Sequence, residues 1–201
     1  VFLIEASYIM SREDILIVCA LEQEADGELS DWNMIYTGCG KVNATYELTK
    51  ELNSARYRIP KLVINFGTAG SREIPMHTLV DCNQFIQRDM DATKLGFFKG
   101  QTPFEAELIM DFSHINNPIS KGYVCRSGDN FVDNIDDETD RIDVFDMEAY
   151  ALAKVCNKIG IDFVSYKYIT DNVNEKSAND WKENCKKGAK KFKEVLLYYG
   201  K

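Results

Sequence analysis

Two carboxylates in the C-terminal half of the chain follow apolar segments and could act on one substrate. Glu148 stands where an apolar strand is predicted to turn into a helix, and Asp171 stands at the end of the next apolar strand. Ligand sites of open α/β sheets form at the carboxyl ends of the strands. We therefore expect the two carboxyls to share one site, where one holds hydroxyl groups and the other donates a proton.

Three other segments follow predicted strands. Glu24 comes just after the first strand, Gly-Cys-Gly lies at 38–40, and Gly-Thr-Ala-Gly lies at 67–70. The segment 38–40 lacks the third glycine of a dinucleotide fingerprint, so we interpret it as a tight strand-to-helix turn with exposed amides. The small residues at 67–70 would let backbone N–H groups approach a ligand, although a packed turn explains them equally well.

Each acid taken alone has a structural explanation. Glu148 could start a helix, where the dipole favours an acid, Asp171 could belong to a turn, and Glu24 could be a surface acid. What favours chemistry is that all three follow strands of the predicted sheet, where their side chains could converge.

The elements that must position these residues alternate between strand and helix. Strands are predicted at 15–20, 34–37, 62–66, 78–86, 122–126, 142–145 and 163–169. Helices are predicted at 44–54, 147–158 and 177–199, the second closed by Gly160. This alternation predicts the α/β class: a single domain with a mixed, mainly parallel sheet flanked by helices.

Composition narrows the classes of partner. The chain has 201 residues and a formal net charge of -8, which argues against nucleic acid or an anionic membrane as the partner. The lysine-rich run at 182–193 is interpreted as the solvated face of the last helix. No stretch is long enough to span a membrane, and residues 1–9 are interpreted as an extension of a domain at 10–201.

The six cysteines do not suggest a disulfide framework or a metal site. Five of them lie in or beside apolar segments, no CxxC pair occurs, and His77 and His114 are isolated. Buried free thiols in a reducing cytosol are the expected state, which predicts a cytoplasmic protein. We expect no metal and no cofactor.

Six short segments, in order and in approximate spacing, resemble the purine nucleoside phosphorylase/nucleosidase superfamily. They look most like its methylthioadenosine/S-adenosylhomocysteine nucleosidase branch, and the resemblance runs from about residue 15 to the last helix. The segments are Ala-Leu-Glu-Gln-Glu at 20–24, Gly-Cys-Gly-Lys-Val-Asn-Ala at 38–44, Asn-Phe-Gly-Thr-Ala-Gly at 65–70, Ser-Gly-Asp-Asn-Phe at 127–131, Asp-Met-Glu-Ala at 146–149 and Ile-Thr-Asp at 169–171.

The resemblance implies a nucleoside phosphorylase-like fold, usually dimeric in the nucleosidases, and a role for each acid. Glu148 would grip the ribose 2′- and 3′-hydroxyls, with Met147 beneath the sugar. Asp171 would protonate purine N7, and Glu24 would activate water. These roles suit the chemistry, because cleavage of an N-glycosidic bond needs a stabilised leaving base and an activated nucleophile.

The resemblance also implies the residues that shape the pocket. Phe131 and Val132 would line the base, and Trp181 would be an aromatic lid residue. Thr68 would face the sugar or the nucleophile. Phe104 and its loop are candidates to complete the pocket of a partner subunit.

Some positions depart from the family pattern. The segment between Glu24 and Gly38 is short, so a hairpin of the sheet is expected to be trimmed. Lys167 stands where the nucleosidases often have arginine. Arg126 is not typical of the branch and could bind a phosphate or carboxylate, and Arg72 could do likewise.

The leading hypothesis is a nucleosidase that hydrolyses a 5′-thio-substituted adenosine to release adenine. The loop at 21–29 has no arginine to hold phosphate, which favours hydrolysis. The alternatives are a phosphate-dependent purine nucleoside phosphorylase, a hydrolase of another purine nucleoside or nucleotide, such as futalosine, and a non-catalytic nucleoside sensor. The partners expected are a small purine nucleoside and a second copy of the chain.

Overall fold

The computed structural model describes residues 10–54, 58–134 and 143–199. Within these residues, eight strands are found: β1 (Ile15–Cys19), β2 (Met34–Tyr36), β3 (Leu62–Gly70), β4 (Leu79–Gln87), β5 (Met110–Asp111), β6 (Tyr123–Ser127), β7 (Val144–Asp146) and β8 (Asp162–Asp171). The helices are α1 (Glu22–Ala25), α2 (Lys41–Leu52), α3 (Ala149–Ile159), α4 (Ser177–Asn184) and α5 (Ala189–Leu196). The predicted extension at 1–9 and residue 142 of the predicted strand at 142–145 lie outside the described residues.

The strands form one mixed sheet in the order β2-β1-β3-β7-β6-β4-β5, and β8 joins β3 to β4. Five of the eight pairings in the described chain are parallel, which confirms the predicted class. The pairing of Gly70 with Phe145 links β3 to β7 and completes a ring of five strands: β3, β8, β4, β6 and β7. The sheet therefore closes on itself at the end of β3.

Both faces of the sheet are covered, which is why the strands are continuous apolar runs rather than alternating ones. All five side chains of β1 are buried. One core cluster includes Ala44 and Leu48 of α2 with Leu152 of α3. The other includes Ala25 of α1 and Phe192 of α5. The helices thus hold the strand ends in fixed positions from both sides.

Two predicted boundaries are wrong. The segment 67–70 is not a turn, because β3 continues through it and pairs with Lys167 to Asp171 of β8. The predicted helix at 177–199 is two helices, broken between Asn184 and Ala189. Gly188, the residue before α5, lies so close to Tyr168 that an added Cβ would be 2.6 Å from the Tyr168 Cβ, so a side chain has no room there.

Other local predictions are confirmed. Between α1 and β2 the chain forms only turns, as expected for a trimmed hairpin. Gly38 and Gly40 have φ of 77° and 91°, so the strand-to-helix turn uses conformations that other residues adopt at a cost. Gly160 closes α3 with φ of 78°.

Among the helices of the described residues, none combines the length and the apolar composition that a membrane span requires.

Candidate active site

All eight side chains predicted to form the site line one cavity of about 220 Å³ at the ends of β1, β3, β7 and β8. They are Glu24, Thr68, Phe131, Val132, Met147, Glu148, Asp171 and Trp181. The cavity wall also contains Ala20, Leu21, Cys39, Ala69, Gly70, Asn130, Phe145, Asp146 and Thr170. The cavity therefore brings together residues from seven separated parts of the sequence.

Glu24 is buried and tightly held. Its Oε1 accepts hydrogen bonds from the Thr68 backbone N–H at 2.8 Å and from the Thr68 hydroxyl at 2.7 Å. Its Oε2 accepts a hydrogen bond from the backbone N–H of Leu21 at 3.1 Å. The short helix α1 explains this placement, since it turns Glu24 back over the end of β1 toward β3. The carboxylate is oriented before any ligand binds.

Glu148 is the N-cap residue of α3, and its side chain crosses to the start of α2. The backbone N–H of Gly40 donates to its Oε1 at 2.8 Å. Burial, together with the neighbouring Asp146 charge, raises the pKa of Glu148 from 4.5 to about 7, although Lys167 and the Gly40 hydrogen bond oppose the shift. Glu148 is therefore balanced between its two protonation states near neutral pH.

Asp171 is buried at the end of β8. Its Oδ1 accepts a hydrogen bond from the Val173 backbone N–H at 3.1 Å, and its Oδ2 accepts one from the Thr170 hydroxyl at 3.0 Å. Burial raises the pKa of the Asp171 carboxyl above its ordinary value, against hydrogen bonds that include one from Ser177. A carboxyl that retains its proton more strongly is suited to act as an acid.

A buried ion pair lies behind the pocket. Lys167 Nζ is 2.8 Å from Asp146 Oδ2, and Asp146 also accepts hydrogen bonds from the backbone N–H groups of Glu148 and Ala149. Burial alone would lower the pKa of Lys167 and raise that of Asp146, but their mutual attraction outweighs it and shifts both pKa values the opposite way. Both ends of the pair are therefore charged.

Sequence reasoning missed the role of this pair. In the sequence, Asp146 belongs to one of the six family-like segments, and Lys167 is a departure from the family pattern. The available signal was an acid two residues before Glu148 and a lysine in the middle of an apolar strand. A buried charge of this kind needs a partner, so each residue pointed to the other.

One end of the cavity is formed by a loop that side-chain hydrogen bonds hold in place. Arg88 donates to the side-chain oxygen of Asn130 at 3.1 Å and to its backbone oxygen at 3.0 Å. Phe131 and Val132 follow this anchored residue, and Phe131 is 44% exposed. The loop thus presents an aromatic ring at the cavity mouth.

Trp181 projects from α4 toward β3. Its indole N–H donates to the Thr68 hydroxyl oxygen at 2.9 Å, and Thr68 in turn contacts Glu24. Met147 completes the wall beside Glu148.

The two candidate anion-binding arginines do not line this cavity. Arg126 forms an ion pair with Asp143, and Arg72 lies beside Asn172 and Asn174 in a separate depression. Among the described residues of the cavity wall none is a lysine or an arginine. The site can therefore accept protons and donate them, but it offers an anion no cationic side chain.

The cysteines also match the prediction except at one position. All six are free, and five are buried. Cys39 is exposed and lines the cavity, because the Gly-Cys-Gly turn carries it to the pocket edge rather than into the core. No group of three or more His, Cys, Asp or Glu side chains within the described ranges is arranged to hold a metal ion.

Three acids with different surroundings face the same space, which suits the arrangement to acid–base chemistry. Asp171 is a carboxyl whose pKa is raised by burial, Glu24 is a preoriented carboxylate, and Glu148 has a pKa of about 7. The first can protonate a leaving group, the second can accept a proton from a nucleophile, and the third can bind hydroxyls.

Known proteins with similar sequences include nucleosidases. The chain is 27% identical over 192 residues to the 5′-methylthioadenosine/S-adenosylhomocysteine nucleosidase of Staphylococcus haemolyticus, covering 85% of this chain and 82% of that protein. It is 28% identical over 205 residues to the enzyme of the same name from Haemophilus influenzae strain PittEE, covering 92% and 88%.

Solved structures share the fold. A futalosine hydrolase mutant from Helicobacter pylori matches with a TM-score of 0.78 at 20% identity, covering 92% of this chain and 97% of that one. A methylthioadenosine/S-adenosylhomocysteine nucleosidase from S. pneumoniae with a transition-state inhibitor matches with a TM-score of 0.76 at 17% identity, covering 92% and 97%. The family model described as the phosphorylase superfamily matches residues 27–199, and the chain therefore belongs to that superfamily.

Proposed function

We propose that the protein is a purine nucleosidase that hydrolyses the N-glycosidic bond of 5′-methylthioadenosine or S-adenosylhomocysteine and releases adenine. The observation that carries this proposal is the convergence of Glu24, Glu148 and Asp171 on one cavity whose described wall has no cationic side chain. The names of the similar enzymes from Staphylococcus haemolyticus and Haemophilus influenzae support it.

The proposed reaction assigns one role to each acid. Asp171 gives its proton to N7 of adenine as the bond between C1′ and N9 breaks. Water adds to C1′, and its proton passes to Glu24. The pair of carboxyls thus works as general acid and general base, each of which typically contributes ~10²–10⁴-fold.

Glu148 would hold the ribose through its 2′- and 3′-hydroxyls. An ionised carboxylate is the stronger acceptor, and charge-assisted hydrogen bonds position the sugar for attack. Met147 beneath the sugar, Phe131 and Val132 beside the base and Trp181 as a lid residue complete the proposed site, with Thr68 next to the nucleophile.

Hydrolysis is favoured over phosphorolysis on electrostatic grounds. Phosphate is an anion, and Glu24 at the nucleophile side of the cavity would repel it. A non-catalytic nucleoside sensor is disfavoured because binding alone would not need both Glu24 and Asp171.

We also propose a cytoplasmic homodimer built from a domain at 10–201. An exposed apolar face between α2 and α3 supports the dimer: Val42 is 78% exposed, Tyr46 is 63% exposed and Ile159 is 47% exposed. Light scattering of the purified chain tests it, and a monomer at micromolar concentration would contradict the dimer without affecting the reaction.

The test of the reaction is adenine release from methylthioadenosine with and without phosphate. We expect equal rates in both buffers, with methylthioribose as the second product. Glu24→Gln should abolish turnover, whereas the matched control Glu22→Gln, an exposed acid two positions away on α1, should retain it. A phosphate requirement with a sugar 1-phosphate product would overturn the proposal. Futalosine and inosine in the same panel identify the substrate's 5′-group and base.

A further inference from the structure

A three-residue hydrogen-bond chain joins the proposed lid to the proposed base. The Trp181 indole N–H donates to the Thr68 hydroxyl oxygen at 2.9 Å, and the Thr68 hydroxyl donates to Glu24 Oε1 at 2.7 Å. This hydrogen-bond chain runs from α4 through β3 to α1, three elements that are far apart in the sequence. Trp181 is half-buried and Glu24 is buried, so solvent competes weakly for these bonds.

The hydrogen-bond chain fixes the direction in which the hydroxyl proton of Thr68 points. A threonine hydroxyl has one proton and can accept up to two hydrogen bonds. The indole N–H can only donate, so it occupies the Thr68 oxygen as acceptor and cannot receive its proton. The carboxylate of Glu24 can only accept. The Thr68 proton therefore points to Glu24 whenever Trp181 is in place.

The carboxylate is left with one relatively open oxygen. Oε1 accepts two hydrogen bonds, both from Thr68, and Oε2 accepts one from Leu21 N–H. Since each carboxylate oxygen has two lone pairs, Oε1 is saturated and Oε2 retains capacity. A nucleophilic water would therefore pass its proton to Oε2.

We propose that Trp181 is a positioning residue for the general base: its indole N–H, acting through Thr68, holds Glu24 in the orientation that accepts a proton from water. This inference rests on the proposed function and adds to it a coupling between lid and base. A phenylalanine at 181 would keep the aromatic ring over the pocket but lose the coupling.

The kinetic test compares Trp181→Phe with Trp32→Phe. Trp32 lies outside the site, is 8% exposed and contacts Arg12, so its substitution controls for loss of an indole elsewhere. We expect Trp181→Phe to lower kcat for methylthioadenosine by about two- to tenfold, the worth of one hydrogen bond. The acid limb of the pH profile should move to higher pH, because the carboxylate is less well stabilised. Thr68→Val should lower kcat and move the acid limb in the same directions by larger amounts. Thr68→Ser, which keeps the hydroxyl, should show the wild-type profile.

A spectroscopic test needs no turnover. The chain has two tryptophans, so its ¹H–¹⁵N spectrum contains two indole signals, and Trp181→Phe identifies which belongs to Trp181. We expect Glu24→Gln and Thr68→Val to shift the Trp181 indole signal and to leave that of Trp32 in place.

The outcomes distinguish a failure of the Trp181 coupling from a failure of the proposed nucleosidase reaction. If the wild type is inactive toward every nucleoside but Glu24→Gln shifts the Trp181 signal, the proposed function fails and the coupling remains. If the wild type is active but Trp181→Phe changes KM alone, with an unmoved pH profile and an unshifted indole signal in Glu24→Gln, Trp181 is only a lid residue and the inference is overturned.

Discussion

Lys167 Nζ lies 2.8 Å from Asp146 Oδ2, and each side chain is only 1% exposed. The pair lies directly behind the proposed ribose site, where Asp146 also holds the backbone at Glu148 and Ala149. The Ser127 hydroxyl contacts the other oxygen of the same carboxylate. These contacts fix the position of the Asp146 carboxylate, which in turn holds the backbone at the start of α3 in place.

Loss of one member of this pair should destabilise the protein strongly. We expect Lys167→Met to lower the free energy of unfolding by about 3–5 kcal/mol, because Asp146 is left buried and uncompensated. The double variant with Asp146→Asn should recover part of the loss. Urea unfolding followed by circular dichroism measures both. The matched control is Lys187→Met, which removes an exposed i,i+4 ion pair with Glu183. This variant should lower the free energy of unfolding by at most about 0.5 kcal/mol. Equal losses at 167 and 187 would contradict a buried ion pair.

The stability of the free enzyme should depend on the protonation of Glu148. Its pKa is 4.5 ordinarily and about 7 in the folded chain, so between these values the folded state binds more protons than the unfolded state. The contribution of Glu148 to the free energy of unfolding is therefore fully present below about pH 4.5 and is lost as the pH rises through about 7.

In Glu148→Gln, the pH-dependent loss of stability caused by Glu148 should be absent. We expect the variant to be more stable than the wild type at pH 8, by on the order of 2–3 kcal/mol, with a much smaller difference at pH 5. Its activity at pH 8 should nevertheless fall at least about 100-fold, since a neutral amide binds hydroxyls more weakly. Thermal unfolding and adenine release at both pH values check this. A variant that keeps more than about a tenth of the wild-type rate would refute the ribose-binding role.

Asp171→Asn should affect substrates according to their leaving groups. Adenine leaves poorly without protonation, so we expect its release to slow by about 10²–10⁴-fold. A nucleoside with an activated aryl leaving group should slow far less. The ratio of the two kcat/KM values, wild type against variant, measures the difference. Equal losses on both substrates would contradict the general-acid role.

Two glycines of β3 should respond differently to an added methyl group. A Cβ at Gly70 would lie 2.7 Å from Asp171 Oδ1 and 3.0 Å from Val173 Cγ2, whereas one at Gly67 would lie 3.2 Å from Lys167 Nζ and 3.4 Å from Glu24 Oε1. We expect Gly70→Ala to displace the Asp171 carboxyl and to lower adenine release by about 10- to 100-fold.

The comparison with Gly67→Ala makes this prediction specific. The loss in Gly70→Ala should be concentrated on poor leaving groups, as in Asp171→Asn, whereas Gly67→Ala should affect both kinds of substrate alike through Glu24. The same two-substrate assay separates them. An unchanged leaving-group dependence in Gly70→Ala would show that Asp171 tolerates the crowding.

The sequence was sufficient to locate seven of the eight described strands, all but β5, and eight of the side chains that line the pocket. Period and apolar runs located β1, β3 and β8 because strands buried on both faces carry uninterrupted apolar residues. Acids after those strands were correctly expected to converge, since Glu24 and Glu148 line the same cavity as Asp171. Their catalytic roles stay predictions.

What the sequence could not provide depends on contacts between distant segments. The extension of β3 through Gly67 and Gly70 requires β8 as a partner, and glycine is ordinarily a signal for a turn. The close packing of Gly188, just before α5, against Tyr168 joins the C-terminal helices to β8 and has no local signature. The bond between Trp181 and Thr68 joins residues 113 positions apart and has no local signature.

The double pairing of β8 has a consequence for how the protein opens. Residues 165–168 pair with β3 on one side and with β4 on the other, so all of their amides become free to exchange with solvent only when both neighbours separate. β2, by contrast, pairs only with β1 among the described strands and lies at the margin. The strand that carries Lys167 and ends at Asp171 should thus belong to the last cooperative unit to unfold, while the margin frays first. Subglobal opening would then leave the acid end of the pocket assembled.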